Sequence, residues 1–297
     1  KKPSIATTVY PVQYLVKRIG GEDVTVTNIT ENTMIQRAQI KASFKDTLED
    51  SDALFYIGGL EPYMDLYVDD IRNTGVDMVD LATKSAIYKF ERYTSTTIDG
   101  VTAGTEGPYY EGEEFANLDT YDADPMLWMD PVAMTSMASD IRDYLVQKYP
   151  QYKDIFDENY DAVELDLARL DADFQAIPDG KMSISFVSMT PSFGNWQKSY
   201  GIKVYPVTLS KYGALPTSDQ LAAIKKRIKS DHVRYIAIEQ NLPDDMKKLQ
   251  QQLIDELALI PVNLNNLSSI TSADQKASKD YLTIMYDNLK ALESIAS

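Results

Sequence analysis

The feature that most restricts the fold is one apolar stripe in the middle of the chain. Over residues 154–177, Val163, Leu167, Leu170, Phe174 and Ile177 recur at helical spacing, which defines one face of a long helix. Pro178-Asp179-Gly180 ends it. On both sides of this stripe, short β-rich runs alternate with helical patterns. Before it, strands are expected at 5–9, 24–29, 53–57 and 76–81. A helix is expected from Pro11, where Val12, Leu15, Val16 and Ile19 share a face until Gly20-Gly21. After it, strands are expected at 182–187, 202–207, 233–238 and 259–264. The helical patterns between and beyond these lie at 192–200, 218–228, 244–257 and 273–295. Strand–helix–strand alternation implies parallel pairing through right-handed crossovers. The expected architecture is therefore α/β: two lobes with mainly parallel sheets, bridged by one long backbone helix. The boundaries are 1–153 for the N-terminal lobe, 154–177 for the linking helix and 178–297 for the C-terminal lobe.

Residues 84–124 break the rhythm. Tyr88, Tyr93, Tyr109, Tyr110 and Tyr121 stand there among Glu111, Glu113, Glu114 and Asp119. A loop this long is functional or a lid, unless it hides a hairpin, and its tyrosines should pack down onto something. Asp119, Asp122 and Asp124 could attract Ca²⁺, but the spacing lacks the glycine and terminal glutamate of a calcium loop, so a solvated loop is expected.

Composition removes several kinds of function. The chain has no cysteine, which excludes disulfides, zinc–thiolate sites and thiol nucleophiles. Its only histidine, His232, lies in a turn-like stretch, so histidine-based hydrolysis and His-rich metal sites lose their central part. With 45 acidic against 29 basic residues the net charge is −16, a field that repels nucleic acid. No nucleophile–base pair is visible, so no enzymatic activity is expected. The sequence opens at Lys1-Lys2-Pro3 without Met or an apolar signal core, which reads as a mature form from which a targeting segment was removed.

A set of short motifs, in order along nearly the full length, resembles the zinc/manganese-type solute-binding lipoproteins of bacterial ABC importers, the group that includes streptococcal adhesins. They are Thr7-Thr8-Val9-Tyr10-Pro11, then Leu48 to Tyr56 followed by Gly59-Leu60-Glu61-Pro62-Tyr63, and Asp124-Pro125-Met126-Leu127-Trp128-Met129-Asp130-Pro131. After the long helix come Phe193-Gly194 with Tyr200-Gly201, Pro216 to Leu221, and Ile238-Glu239-Gln240. Each is weak alone; their order and spacing carry the resemblance. It implies a ligand held in a cleft between the lobes, closure by small lobe adjustments, and a lipid-anchored receptor on the outer face of the membrane. It also implies a monomer that hands a small solute to an ABC permease.

The same resemblance places the family's four metal-ligand columns on Gln36, Met126, Thr190 and Asn265. None is an anion or an imidazole, whereas Zn²⁺ favours imidazole, thiolate and carboxylate, and Mn²⁺ prefers charged oxygen. The expectation is therefore no metal cofactor and no tight transition-metal binding at the family site, with a non-metal or unknown solute in the cleft, or a cleft packed shut. The alternatives are a surface adhesion protein on a retained scaffold, with the Tyr-rich segment as contact surface, and a zinc or manganese receptor with displaced ligands. Trp128 and Trp196 flank the cleft columns, with core packing as their expected role. Glu61 and Glu239 match family landmarks outside the ligand set and are expected to be structural or to support the ligands.

Overall fold

The computed structural model describes residues 2–83 and 87–297; Lys1 and the first three positions of the Tyr-rich segment lie outside the described residues. The chain divides into two compact units. Unit 1 comprises Lys1–Ile87, Asp130–Asp173 and Leu267–Tyr286; unit 2 comprises Tyr88–Met129, Phe174–Asn266 and Asp287–Ser297.

Unit 1 is built on four parallel strands, β1 (Ser4–Thr7), β2 (Thr25–Asn28), β3 (Ala53–Tyr56) and β4 (Asp77–Asp80), ordered β2-β1-β3-β4. Ile5 pairs with Val26 on one side and Ala53 on the other, so β1 is central, and Ile5 and Ala6 are fully buried. Helix α1 (Tyr10–Gly20) follows β1 directly, with Pro11 in its first turn, where a missing N–H costs nothing. Val12, Leu15, Val16 and Ile19 are all fully buried. Helices α2 (Phe44–Glu49) and α3 (Met64–Asn73) contribute Phe44, Leu48 and Ile71 to a core that also holds Ala6, Ile29, Ile40, Leu54, Tyr63 and Val76. Helix α4 (Pro131–Lys148) is capped by Asp130, whose side chain accepts the Val132 N–H. The long helix α5 (Lys153–Asp179) begins in this unit. There Arg18 pairs with Asp166 at 2.6 Å, and Asn159 donates to the Ile19 carbonyl at 2.9 Å.

Unit 2 contains the hairpin β5 (Arg92–Ile98) and β6 (Val101–Gly107), and a second parallel sheet of β7 (Ser185–Ser188), β8 (Lys203–Pro206), β9 (Tyr235–Ile238) and β10 (Ile260–Asn263). The sheet order is β10-β9-β7-β8. Counted from its own first strand this is second, first, third, fourth when read from the β8 edge, the same order as in unit 1. Helices α6 (Gly194–Tyr200), α7 (Ser218–Ser230) and α8 (Asp244–Leu257) are its crossovers. Helix α7 starts with a capping box between Thr217 and Gln220. The core is aromatic: Phe174 lies 5.0 Å from Tyr200 and 5.8 Å from Trp196, and Phe193 lies 5.0 Å from Trp196. Helices α9 (Ser272–Lys276) and α10 (Tyr281–Ser294) end the chain.

The structure decides one expectation left open and changes another. The Tyr-rich segment holds the β5–β6 hairpin, turned by Asp99 and Gly100 at φ 52° and 79°, the left-handed pair that a type I′ turn requires. Its tyrosines divide: Tyr109, Tyr110 and Tyr121 are buried, with Phe90 at 5.0 Å from Tyr109 and 5.5 Å from Tyr121, while Tyr88 and Tyr93 are exposed. The closing helix expected over 273–295 is two helices. Ser278 takes a left-handed conformation (φ 58°), and Asp280 and Thr283 exchange side-chain-to-backbone hydrogen bonds that start α10 afresh.

Candidate functional site

In a parallel α/β sheet, ligands gather outside the carboxyl ends of the strands, where crossovers leave in opposite directions from neighbouring strands. In both units that switch point lies between the first and third strands, and in both it holds one buried threonine and one buried glutamate.

In unit 1, Thr8 follows β1 and Glu61 lies beyond β3. The Thr8 hydroxyl donates to Glu61 Oε2 at 2.6 Å, and the Ile57 N–H donates to the same oxygen at 3.1 Å. Glu61 Oε1 is buried without a hydrogen-bond partner. Burial pushes the Glu61 carboxyl up to about 7, against the opposing pull of the Thr8 and Ile57 donors. Gln36 sits buried in a short 3₁₀ turn, Ile35–Arg37. The neighbouring Ile35, together with Thr8, lines a cavity of about 360 Å³ in this unit.

In unit 2, Thr190 follows β7 and Glu239 follows β9. The Thr190 hydroxyl donates to Glu239 Oε1, and the N–H groups of Met189 and Thr190 donate to Oε2 at 3.1 and 3.2 Å. Asn266, beyond β10, donates to Glu239 Oε1 at 2.9 Å and to Asn241 Oδ1 at 3.0 Å. Burial raises the Glu239 carboxyl above its usual range, and the Asn266 and Thr190 donors resist that shift. The backbone carbonyl of Asn266 accepts the Trp128 indole N–H at 2.8 Å. Asn195 donates to the Met126 carbonyl at 2.8 Å, and the Trp196 indole donates to the Met129 carbonyl at 2.9 Å. Asn265 is held by Asn288 through its backbone and donates its own side chain to Gln240 at 2.7 Å. Asp124 accepts the Met126 N–H at 3.0 Å, and burial pushes its carboxyl up to about 7.

Three of the four residues placed on ligand columns, Met126, Thr190 and Asn265, thus lie in unit 2, and Gln36 lies in unit 1. Trp128 and Trp196 are fully buried. His232 is exposed in a left-handed turn after α7. Within unit 2 the residues that tie the column positions together are Glu239, Asn266 and Asn195. Sequence reasoning named only Glu239 among these; Asn195 and Asn266 carry no spacing signal because their partners are distant in the chain. Among the described residues, no group of three or more His, Cys, Asp or Glu side chains is arranged to hold a metal ion. Nor is any helix among them long and apolar enough to cross a membrane.

The fold has close parallels among solved structures. The Zn(II)-bound form of AdcA from Streptococcus pneumoniae superposes with a TM-score of 0.74 at 24% identity, covering 99% of this chain and 58% of that one. The laminin-binding adhesin of Streptococcus agalactiae reaches a TM-score of 0.77 at 19% identity, with 98% of each chain covered. These likenesses show a shared α/β fold. The family model described as "ZnuA: Zinc-uptake complex component A periplasmic" matches residues 5–295, and the chain belongs to that family. The zinc-binding lipoprotein AdcA of S. pneumoniae serotype 4 is 26% identical over 294 residues, 98% of this chain and 55% of that protein. The high-affinity zinc uptake protein ZnuA of Bacillus subtilis is 25% identical over 170 residues, covering 57% of this chain and 52% of that one. The chain therefore spans about half the length of these curated relatives.

These findings correct the expectation that no metal would be bound tightly. Relatives along nearly the whole chain are zinc-binding proteins, and similar structures hold Zn(II). They also favour a metal cargo over a non-metal solute. The expectation weighed only the charge of four side chains. A cation can also be balanced by ligands placed elsewhere or carried with it, so those four positions do not decide the matter.

Proposed function

We propose that this chain is the solute-binding part of an ABC-type metal importer. It works outside the cytoplasm, receives a divalent cation of the zinc class as cargo, and passes it to a membrane permease without chemistry of its own. In this reading the lobes are 1–153 and 178–297, linked by the helix at 154–177, and attachment to the membrane is by lipid. Gln36, Met126, Thr190 and Asn265 are the cargo-facing positions. Glu239 ties the Thr190 loop after β7 to Asn266, the neighbour of Asn265, and Glu61 braces the ends of β1 and β3.

The observation that carries the reading is the family match across 5–295, which takes in both switch points and their Thr–Glu pairs. A receptor that captures cargo by binding alone needs rigid, preformed strand ends and no nucleophile, and both sets of strand ends are buried and hydrogen-bonded. Equilibrium dialysis against radioactive zinc tests it. Saturable, chelator-reversible uptake near one ion per chain is expected; absence of uptake for zinc and manganese, free or complexed, would overturn it.

A further inference from the structure

We propose that the Tyr-rich segment builds a second ligand site within unit 2, one that binds a methylated ammonium ion of the choline type. The proposal is independent of the cargo function above, which makes no use of this segment.

The site is a cavity of about 300 Å³ walled by five aromatic rings: Phe90, Tyr109, Tyr110, Phe115 and Tyr121. Two ring groups form the walls. Phe90 lies 5.0 Å from Tyr109 and 5.5 Å from Tyr121, while Tyr110 and Phe115 stack at 5.5 Å with planes 23° apart. Four of the rings are buried and Phe115 is half-buried, so the walls are held by their own packing. None of Met126, Thr190 and Asn265 lines this cavity.

Charge selects the ligand. Glu91 and Asp122 also line the cavity, and no Lys or Arg does. Among the described residues neither carboxylate belongs to an ion pair. The surrounding chain, residues 93–129, holds eight Asp and Glu and no Lys or Arg. Aromatic faces and unpaired carboxylates together attract a cation. A small metal ion would have to shed tightly held water against the rings, whereas a methylated ammonium is weakly hydrated and gains from the same contact. The protein's own Arg92 already uses this attraction, at 4.4 Å from the Tyr205 ring and 5.9 and 5.8 Å from Tyr109 and Tyr110. Arg92 does not line the cavity, and among the described residues no cation lies over Phe90, Phe115 or Tyr121. Those faces are the ones left for a ligand.

Calorimetric titration of the full chain with choline chloride tests this, with 3,3-dimethyl-1-butanol as the uncharged molecule of the same shape. Choline should bind about tenfold or more tightly than the alcohol. Glu91→Gln/Asp122→Asn should weaken choline about tenfold and leave the alcohol unchanged, and Phe115→Ala should weaken both. Melting confirms that each variant folds, and zinc uptake should be unaltered in all of them. Retention on phosphatidylcholine vesicles, displaced by free choline, would identify a headgroup as the source; choline binding without retention would identify a free solute. Equal affinity for choline and the alcohol, no choline binding up to about 10 mM, or tighter binding of Nα-acetyl-lysine amide than of choline would each overturn the proposal and leave the receptor function standing.

Discussion

The Thr190 hydroxyl donates to the buried carboxylate of Glu239, 49 residues further along the chain. Thr8 and Glu61, separated by 53 residues, repeat that relationship in unit 1. In each case the threonine follows the first strand and the glutamate lies beyond the third, so the pair closes the switch point of a sheet with the order 2-1-3-4. A buried carboxylate is stable only where donors surround it. Glu239 has four, and Glu61 has two on one oxygen and none on the other.

Thr190→Val removes one donor from Glu239 at nearly constant volume. The loss should be about 1–3 kcal/mol, the usual cost of depriving a buried charged acceptor of a partner. Urea unfolding followed by circular dichroism measures it, and a change below about 0.5 kcal/mol would show that the hydroxyl does not support the carboxylate.

Glu61 and Asp124 each have a carboxyl raised to about 7 by burial. A raised acid binds its proton more tightly in the folded state, so these groups favour folding at acid pH. The metal-free protein should lose stability as pH rises from about 4.5 to 7, the interval between the unfolded and folded values. Glu61→Gln should flatten part of that slope in melting temperatures recorded at half-unit pH steps. An unchanged slope in the variant would exclude Glu61 as its source.

Gly194 opens α6 where a methyl group would stand 2.5 Å from the Tyr109 hydroxyl and 2.6 Å from Asp124 Oδ2. Both neighbours are buried, so neither can swing clear. Gly194→Ala should therefore destabilise by about 1–3 kcal/mol despite its better helix propensity. Removing the obstruction in Gly194→Ala/Tyr109→Phe should recover part of the loss, and strict additivity in that double-mutant cycle would reject the steric account.

Both indoles are buried and hydrogen-bonded, Trp128 to Asn266 and Trp196 to Met129. Trp128→Phe removes the indole donor to the Asn266 carbonyl and leaves a small void. A cost of about 2–4 kcal/mol is expected in denaturant unfolding, with the remaining Trp196 emission staying blue until the protein unfolds. A red-shifted native emission in the variant would contradict the burial of Trp196.

Met126 is fully buried just before the short 3₁₀ turn Leu127–Met129. Met126→His places an imidazole at the second family column, and affinity for free zinc should rise by about tenfold or more, since imidazole is a far better zinc ligand than a thioether. Competition against a fluorescent zinc indicator measures it. No gain, in a variant with an unchanged melting temperature, would remove Met126 from the cargo-facing set.

How much of this was legible beforehand depends on the range of the forces involved. The stripe from Val163 to Ile177, the Pro178-Asp179-Gly180 stop and the alternation of strands with helices all follow from neighbours a few residues apart. A sequence displays such relations directly. The break at Ser278 was masked by continuous helical spacing on both sides, because a single left-handed residue leaves no periodic trace. The linking of Thr8 to Glu61, of Thr190 to Glu239, and of Asn266 to Trp128 was decided only by tertiary structure. Strand order selects which loops become neighbours, and that order depends on how crossover helices bury their apolar faces against a sheet, a property of the assembled chain that no local window contains.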